Sequence, residues 1–222
     1  MYHQIKTMKI KLFTVAMGAA FIATALNANA QKAYKEGVIT MNMNAMGQAI
    51  EAKSYFRTDS SSVAFNAGPA DIKVLSDSKG TYMAILVDVP VASIKKAAIA
   101  TPAEIEEQRS KFPVLTFKPG TETKVINGFN CTKVVATDAK AGKTYDIWVT
   151  KDVSIPETSA TKLYAGAGGF PIQYTTFQNG QASEVTIKSI VEQKVPAGTF
   201  GIPADFEKIS MDDLKSLGGG GN

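Results

Sequence analysis

Histidine and cysteine are almost absent from this chain of 222 residues, which contains one of each. The scarcity of histidine matters because it is the side chain whose unperturbed pKa lies nearest neutrality. The lone Cys131 has no partner within the chain, so an internal disulfide is excluded. A single thiol in an oxidising compartment is safest when buried, and we expect Cys131 to be buried and inert. The alternative is an intermolecular or reactive thiol.

The first 30 residues have the pattern of a cleavable export signal. Three lysines precede an apolar run from Leu12 to Leu26, and Ala28 and Ala30 form an A-x-A cleavage site before Gln31. The run has about 15 residues, whereas a membrane span needs roughly 20. Gln31 stands at the cleavage point, where a lipoprotein signal requires a cysteine, so the signal is not that of a lipoprotein.

Cleavage after Ala30 leaves a mature chain of 222 − 30 = 192 residues, whether translation starts at Met1 or Met8. We expect this chain to be periplasmic or secreted and to contain no transmembrane segment. Three of the 24 basic residues are lost and none of the 20 acidic ones, so the net charge falls from +4 to 21 − 20 = +1. No cluster of lysine and arginine remains that would indicate nucleic-acid binding.

The only histidine, His3, also lies in the predicted signal. Its loss excludes Ser-His-Asp and Cys-His catalysis in the mature chain. Zinc and copper sites lose their commonest ligand, and one cysteine cannot replace it. We therefore expect a protein that is not an enzyme and holds no metal or cofactor.

Strand-like alternation dominates the mature chain and predicts one mainly β domain over residues 31–217. From Val38 to Met46 the apolar side chains alternate with threonine and asparagine, which is typical of a half-buried strand. Two segments, 82–87 and 145–149, have bulky groups on both faces and need cover on both sides. The other predicted strands are 50–58, 62–66, 72–76, 124–126, 129–137, 172–178 and 182–194, and the second two-sided strand extends over 143–150.

Short helices are predicted between and after the strands. Residues 92–100 are rich in helix formers, and Thr101-Pro102-Ala103-Glu104 is a capping box that should start a helix through about Ser110. This pair would make a lid over one sheet face. Ser210 should cap a last helix to Leu217, before a disordered glycine-rich tail over residues 218–222.

Fragments that imitate catalytic motifs are incomplete. Ser93-Ile94-Lys95-Lys96 matches the Ser-x-x-Lys of penicillin-binding proteins, but the accompanying motifs are missing, and a solvated helix start is expected. The remaining catalytic option is a pair of carboxylates among Asp138, Asp146 and Asp152. A glycosidase would need two of them facing each other at roughly 5–10 Å.

The second half of the chain contains four segments in a recognisable order: Ile126–Lys133, Tyr145–Thr150, Gly169–Ile172 and Ile202–Met211. In this order they resemble an exported bacterial family catalogued as a domain of unknown function, number four-four-one-two, over roughly residues 127–217. The resemblance implies a fold like that of the LolA and LolB lipoprotein carriers: a curved antiparallel sheet or incomplete barrel, with short helices covering the concave face. It implies no catalytic residues.

The leading functional prediction is an envelope protein that binds an apolar ligand, such as a lipid or acyl chain, in the concave face. Methionine and aromatic side chains suit adaptable apolar surfaces. The alternative is a non-catalytic structural or protein-interaction module with an envelope protein as partner. The predicted cavity lining is Met41, Met43, Tyr82, Leu86, Ile105, Trp148, Phe170 and Tyr174.

Overall fold

The computed structural model describes residues 31–45, 48–158, 161–178 and 181–218. The predicted export signal with its cleavage residue Ala30, the Asn179-Gly180 turn and residues 219–222 of the predicted tail lie outside the described residues. The strands are β1 Lys32–Ala33, β2 Gly37–Ala45, β3 Gln48–Phe56, β4 Ser60–Ala67, β5 Ala70–Asp77, β6 Met83–Val89, β7 Ile94–Ile99, β8 Leu115–Ile126, β9 Phe129–Asp138, β10 Thr144–Thr150, β11 Val153–Ser154, β12 Phe170–Gln178, β13 Gln181–Glu192 and β14 Glu207–Ile209.

Twelve of these strands form one sheet in the order β14-β7-β6-β5-β4-β3-β2-β13-β12-β10-β9-β8. All neighbours in this sheet are antiparallel except β14, which pairs parallel with β7. The sheet is curved and does not close into a barrel, so the predicted mainly β class and incomplete barrel are confirmed. The remaining strands, β1 and β11, form a separate parallel pair.

The alternation in β2 and β3 decides which side of the sheet is apolar. Ile39 and Met41 lie opposite Ser54 and Ala52, and all four are buried, while Lys53 on the other side is exposed. Following the register from strand to strand extends this side across the sheet. We call it the inner face because it carries the main core, and we call the opposite side the outer face.

The predicted helix over residues 92–100 is wrong. Pro90–Ala92 form a short 3-10 helix, Ser93 adopts a left-handed conformation with φ 51°, and Ile94 begins β7. The helix-forming composition is overridden because β7 pairs with β6 on one side and β14 on the other. Ser93 precedes the strand and Lys96 lies within it, so the two are not one helical turn apart, which is the arrangement that the predicted helix start required.

One α-helix lies between β7 and β8 and a second follows β14, and their starts confirm the capping predictions. Helix α1, Pro102–Ser110, has both hydrogen bonds of the capping box between Thr101 and Glu104. Helix α2, Met211–Gly218, is capped by the Ser210 hydroxyl, which accepts from the Asp213 amide at 3.0 Å. Gly218, predicted as the start of the tail, is the last residue of this helix.

Both helices pack on the inner face at the β6–β7 end of the sheet. Ile105 of α1 and Met211 of α2 join a cluster with Ala98 and Ala100, which we call the helix cluster. The Arg109 guanidinium donates to the Gly80 carbonyl at 2.8 Å and ties α1 to the turn between β5 and β6. The helical cover therefore comes from α1 and α2, and not from residues 92–100.

Candidate functional site

The main core fills the inner face over β2, β3, β9, β10, β12 and β13. A 3-10 helix, Lys162–Ala167, lies across this part of the sheet. Its Tyr164 ring is 5.0 Å from the ring of Tyr174 on β12, and the Tyr164 hydroxyl donates to the Thr175 carbonyl. A Cβ placed on Gly166 would lie 3.1 Å from the Phe117 ring on β8. The 3-10 helix thus closes this end of the inner face, and burial raises the pKa of both tyrosines.

Seven of the eight predicted lining residues are distributed over three clusters, and Tyr82 belongs to none of them. Met41 and Tyr174 are buried within the main core, and Met43, Trp148 and Phe170 pack against it. Trp148 stands on the outer face of β10, where the Lys124 ammonium lies 4.0 Å from its ring centroid.

The other three lie elsewhere. Leu86 is buried in an outer-face cluster with Leu75, Ala84 and Ala97, Ile105 belongs to the helix cluster, and Tyr82 is 36% exposed. Five of the eight therefore pack in or against the main core, but Trp148 does so from the outer face, so the five do not form one lining.

A different set of apolar side chains lies between the main core and the helix cluster. On β4, β5 and β6 the inner face carries two rows of three residues, which we call the apolar floor. One row places Val63 opposite Val74 and Val74 opposite Ile85. The other places Phe65 opposite Ile72 and Ile72 opposite Val87.

Every side chain of the apolar floor is half-buried, in contrast to the buried residues on either side of it. Val63 and Phe65 pack against the main core and Ile85 against the helix cluster, while Ile72, Val74 and Val87 belong to neither. The floor spans two strand spacings, about 10 Å, and its rows are about 7 Å apart. These dimensions suit an extended chain or a small ring system.

The cavity lining predicted from the sequence does not include the apolar floor, because that prediction gave preference to large side chains. The signal was present in the alternation of Ile72 and Val74 in β5 and of Ile85 and Val87 in β6. What the sequence did not reveal is that these residues stand between two filled regions, since that depends on the strand order.

The carboxylates considered for catalysis are separated in the fold. Asp138 lies at one end of β9 and accepts from the Lys140 amide at 2.8 Å, whereas Asp152 accepts from the Asn130 amide at 2.7 Å near the other end. Asn130 and Asp138 lie eight residues apart along β9, which corresponds to about 27 Å of extended strand. Asp146 lies on the outer face in an ion pair with Lys133 at 2.8 Å. Asp138 and Asp152 therefore cannot face each other across one cleft.

Cys131 is buried, as predicted, with 2% of its surface exposed. Its thiol donates to the Phe129 carbonyl at 3.4 Å. Burial raises the pKa of this thiol from 9.0 to about 11, and the charge of Asp152 adds to the rise. The thiolate that a nucleophile or a metal ligand requires is therefore disfavoured.

Among the described residues, no group of three or more histidine, cysteine, aspartate or glutamate side chains is placed to hold a metal ion. Within the same residues, neither α-helix has the length and apolar character needed to cross a bilayer.

Comparison with known proteins finds similarity of backbone only. No family model matches the chain, and no curated protein matches it. PNGF-II has 17% identity and a TM-score of 0.49 over 82% of this chain, which spans only 32% of that protein. An uncharacterized conserved protein from Thermus thermophilus has 9% identity and a TM-score of 0.49, with 80% of this chain and 91% of that chain covered.

A DUF1329 family protein from Desulfovibrio piger has 11% identity and a TM-score of 0.34, with 75% of this chain and 90% of that chain covered. Similarities of this size assign neither a family nor an activity to the chain. The resemblance to family four-four-one-two and to the LolA and LolB carriers therefore stays a prediction.

Proposed function

We propose that this chain is an exported, non-catalytic binding protein that holds an apolar ligand, such as an acyl chain, on the apolar floor of its inner face. The observation that carries the proposal is the half-buried state of six adjacent apolar side chains between two closed regions. Apolar side chains that are left half-exposed beside a filled core are a common mark of a binding surface. The export part rests on the sequence pattern of residues 1–30.

The boundaries of the floor support a ligand that lies across the strands. The helix cluster closes one end, and the main core with the 3-10 helix closes the other. Beyond Val87, the next residue in the row is Lys96, which pairs with Glu207. An acyl chain on the floor would therefore contact only apolar groups until it reached this ion pair.

The alternative is a protein-interaction module, and the β8 edge of the sheet gives little support for a partner that binds there. Strand β8 is an edge strand, and such edges can accept a strand from another protein. However, β8 contains Pro119 and an irregular register between Pro119 and Thr123, and Lys118 and Lys124 are exposed on it. Proline, irregularity and charge are the features that protect an edge from strand addition.

The test uses the neutral dye N-phenyl-1-naphthylamine, whose fluorescence rises in apolar sites, with decanol as a displacing ligand. The V74T/V87T variant replaces two methyl groups of the floor by hydroxyls at nearly constant volume. Each hydroxyl that the dye covers without a hydrogen bond costs about 1 kcal/mol of binding free energy, so the two together should weaken dye binding by about thirtyfold.

The matched control is V38T/V135T, which makes the same change at two half-buried valines of the outer face. This variant should bind the dye as the unaltered protein does. Equal weakening in both variants, or no displaceable dye binding by the unaltered protein, would remove the case for a ligand on the floor.

A further inference from the structure

A second concave surface opens on the outer face. It is a cleft of about 570 Å³, within the range of roughly 300–1,000 Å³ that small-molecule sites occupy. Outer-face residues of β3–β6 form most of its base, with Phe65 and Ile72 of the apolar floor also among its lining residues, and Pro203 and Phe206, from the segment before β14, form one wall. Leu86 also lines the base, with 2% of its surface exposed.

The wall of this cleft is held in place by contacts within the protein. The Lys95 ammonium lies 2.7 Å from the Asp205 carboxylate and 5.7 Å from the centroid of the Phe206 ring. Phe206 also packs against the outer-face cluster that contains Leu86. The apolar wall is thus formed before any ligand arrives.

Two lysines of the cleft stand out because they lack partners. Lys53 on β3 and Lys73 on β5 both lie opposite Ala64, the small residue on the strand between them. Among the described residues neither lysine makes a hydrogen bond or an ion pair, although Lys53 helps to lower the pKa of Glu51 through space. Because the small side chain of Ala64 leaves space between them, both ammonium groups can reach one bound group.

The acidic side chains of the same cleft are engaged. Glu51 pairs with Lys188 at 2.6 Å, and this contact is the main reason that its pKa is lowered. Asp71 accepts from the Asn66 side-chain amide, and Asp88 lies 3.6 Å from Lys95 through one carboxylate oxygen, while its other oxygen is buried without a hydrogen-bond partner among the described residues. Of the lysines that line the cleft or pair with its acidic residues, Lys53 and Lys73 are therefore the two left free to bind an anion.

Long-range electrostatic attraction contributes little to the binding of an anion in this cleft. Lys53, Lys73, Lys95 and Lys188 balance Glu51, Asp71, Asp88 and Asp205, so the cleft and its partners have no net charge. An anion must therefore be selected by direct contact with the ammonium groups, since such charge-assisted hydrogen bonds are the strong ones.

We propose that the outer-face cleft is a second binding site, for an amphipathic anion. Its carboxylate or phosphate group lies between Lys53 and Lys73, and its apolar part lies against Leu86, Pro203 and Phe206. The two lysines of this site are on the outer face, whereas Val74 and Val87 of the apolar floor are on the inner face and do not line the cleft.

The test is calorimetric titration of the full mature protein with octanoate and with octyl phosphate, which share one apolar chain and differ in the anion. Acetate and inorganic phosphate serve as anions without the chain, and octanol as the chain without the anion. Binding of either amphiphile is expected, and the tighter of the two identifies the preferred anion.

The K53Q/K73Q variant should weaken binding of the amphiphiles by about tenfold or more, because each lost charge-assisted bond is a large part of the contact. The matched control is K79Q/K118Q, which removes two lysines outside the cleft. This control should bind the amphiphiles as the unaltered protein does. V74T/V87T should weaken only the binding that octanol shares with the amphiphiles on the apolar floor, and should leave the additional binding that depends on the anion unchanged, since neither valine lines the cleft.

Four results would overturn the proposal. They are absence of amphiphile binding, equal weakening in K79Q/K118Q, weakening in V74T/V87T but not in K53Q/K73Q, and acetate or inorganic phosphate binding as tightly as the corresponding amphiphile. The third result would place the amphiphile on the apolar floor, so failure of this proposal is distinguishable from failure of the first.

Discussion

Gly37 begins β2 at a point where the neighbouring backbone leaves no room for a side chain. A Cβ built on it would lie 2.2 Å from the Val191 carbonyl oxygen of β13 and 3.1 Å from the Phe56 ring. Contacts below 3.0 Å are essentially never made by real Cβ atoms. Gly37→Ala must therefore move β2 and β13 apart by nearly 1 Å, and Phe56, which is fully buried, blocks the opposite movement.

The change in the free energy of unfolding caused by Gly37→Ala follows from two opposing effects. Overpacking a filled core costs about 1–3 kcal/mol, and a clash with backbone belongs at the upper end of that range. Replacing glycine by alanine also restricts the unfolded chain, which returns about 0.4–1 kcal/mol. We therefore expect Gly37→Ala to lower the free energy of unfolding by about 2 kcal/mol.

Urea unfolding followed by the fluorescence of Trp148, the only tryptophan, measures this change. The midpoint should fall by about 1 M, since the urea dependence of a domain of this size is about 2 kcal/mol per molar. The matched control is Gly201→Ala, whose Cβ would meet nothing closer than the Gly198 carbonyl oxygen at 3.8 Å. Equal midpoints for the two variants would refute the β2–β13 packing described above.

Two further predictions concern helix α1 and the buried thiol. Thr101→Ala should remove the capping box and destabilise α1 by about 1 kcal/mol, seen as faster amide exchange in residues 102–110, while the exposed Thr123→Ala should leave that exchange unchanged. Cys131 should react with a thiol reagent at pH 8 at least a hundredfold more slowly in the native protein than in urea, because a pKa of about 11 leaves about one thiol in a thousand ionised. A native thiol that reacts as fast as the unfolded one would contradict its burial. Since the native pKa is raised, this thiol's contribution to the stability of the fold is complete below its ordinary pKa of 9.0 and is lost as the pH rises towards 11.

Local patterns in the sequence predicted most of the strands. The alternation in Val38–Met46 and the Asn127-Gly128 dipeptide each specify a structure by themselves. Asn127 and Gly128 have φ values of 50° and 86°, which is the left-handed geometry of a tight hairpin turn. The capping box at Thr101 is local in the same sense, and it marked the start of α1 correctly.

The errors arose where distant partners decide the structure. Residues 94–99 form a strand because β6 and β14 lie on either side of them, and Lys96 pairs with Glu207, more than a hundred residues away. The same limit applied to the sites, since Lys53 and Lys73 become neighbours of Phe206 only through the sheet order and the return of the C-terminal segment. No short segment of the sequence contains those residues together.

The pairing of β2 with β13 has a consequence for how the protein reaches its folded state. Strands β2–β7 form a meander of consecutive neighbours. Strands β8–β10, β12 and β13 join it where β13 pairs with β2, while β14 joins its other edge at β7. About 150 residues separate β2 from β13, so their contact closes a long loop and is expected to form late. During synthesis β2 is made first and stays an unpaired edge until β13 has emerged. The long interval before that junction forms is therefore the stage at which aggregation competes most strongly with folding, and a chaperone that shields β2 would act there.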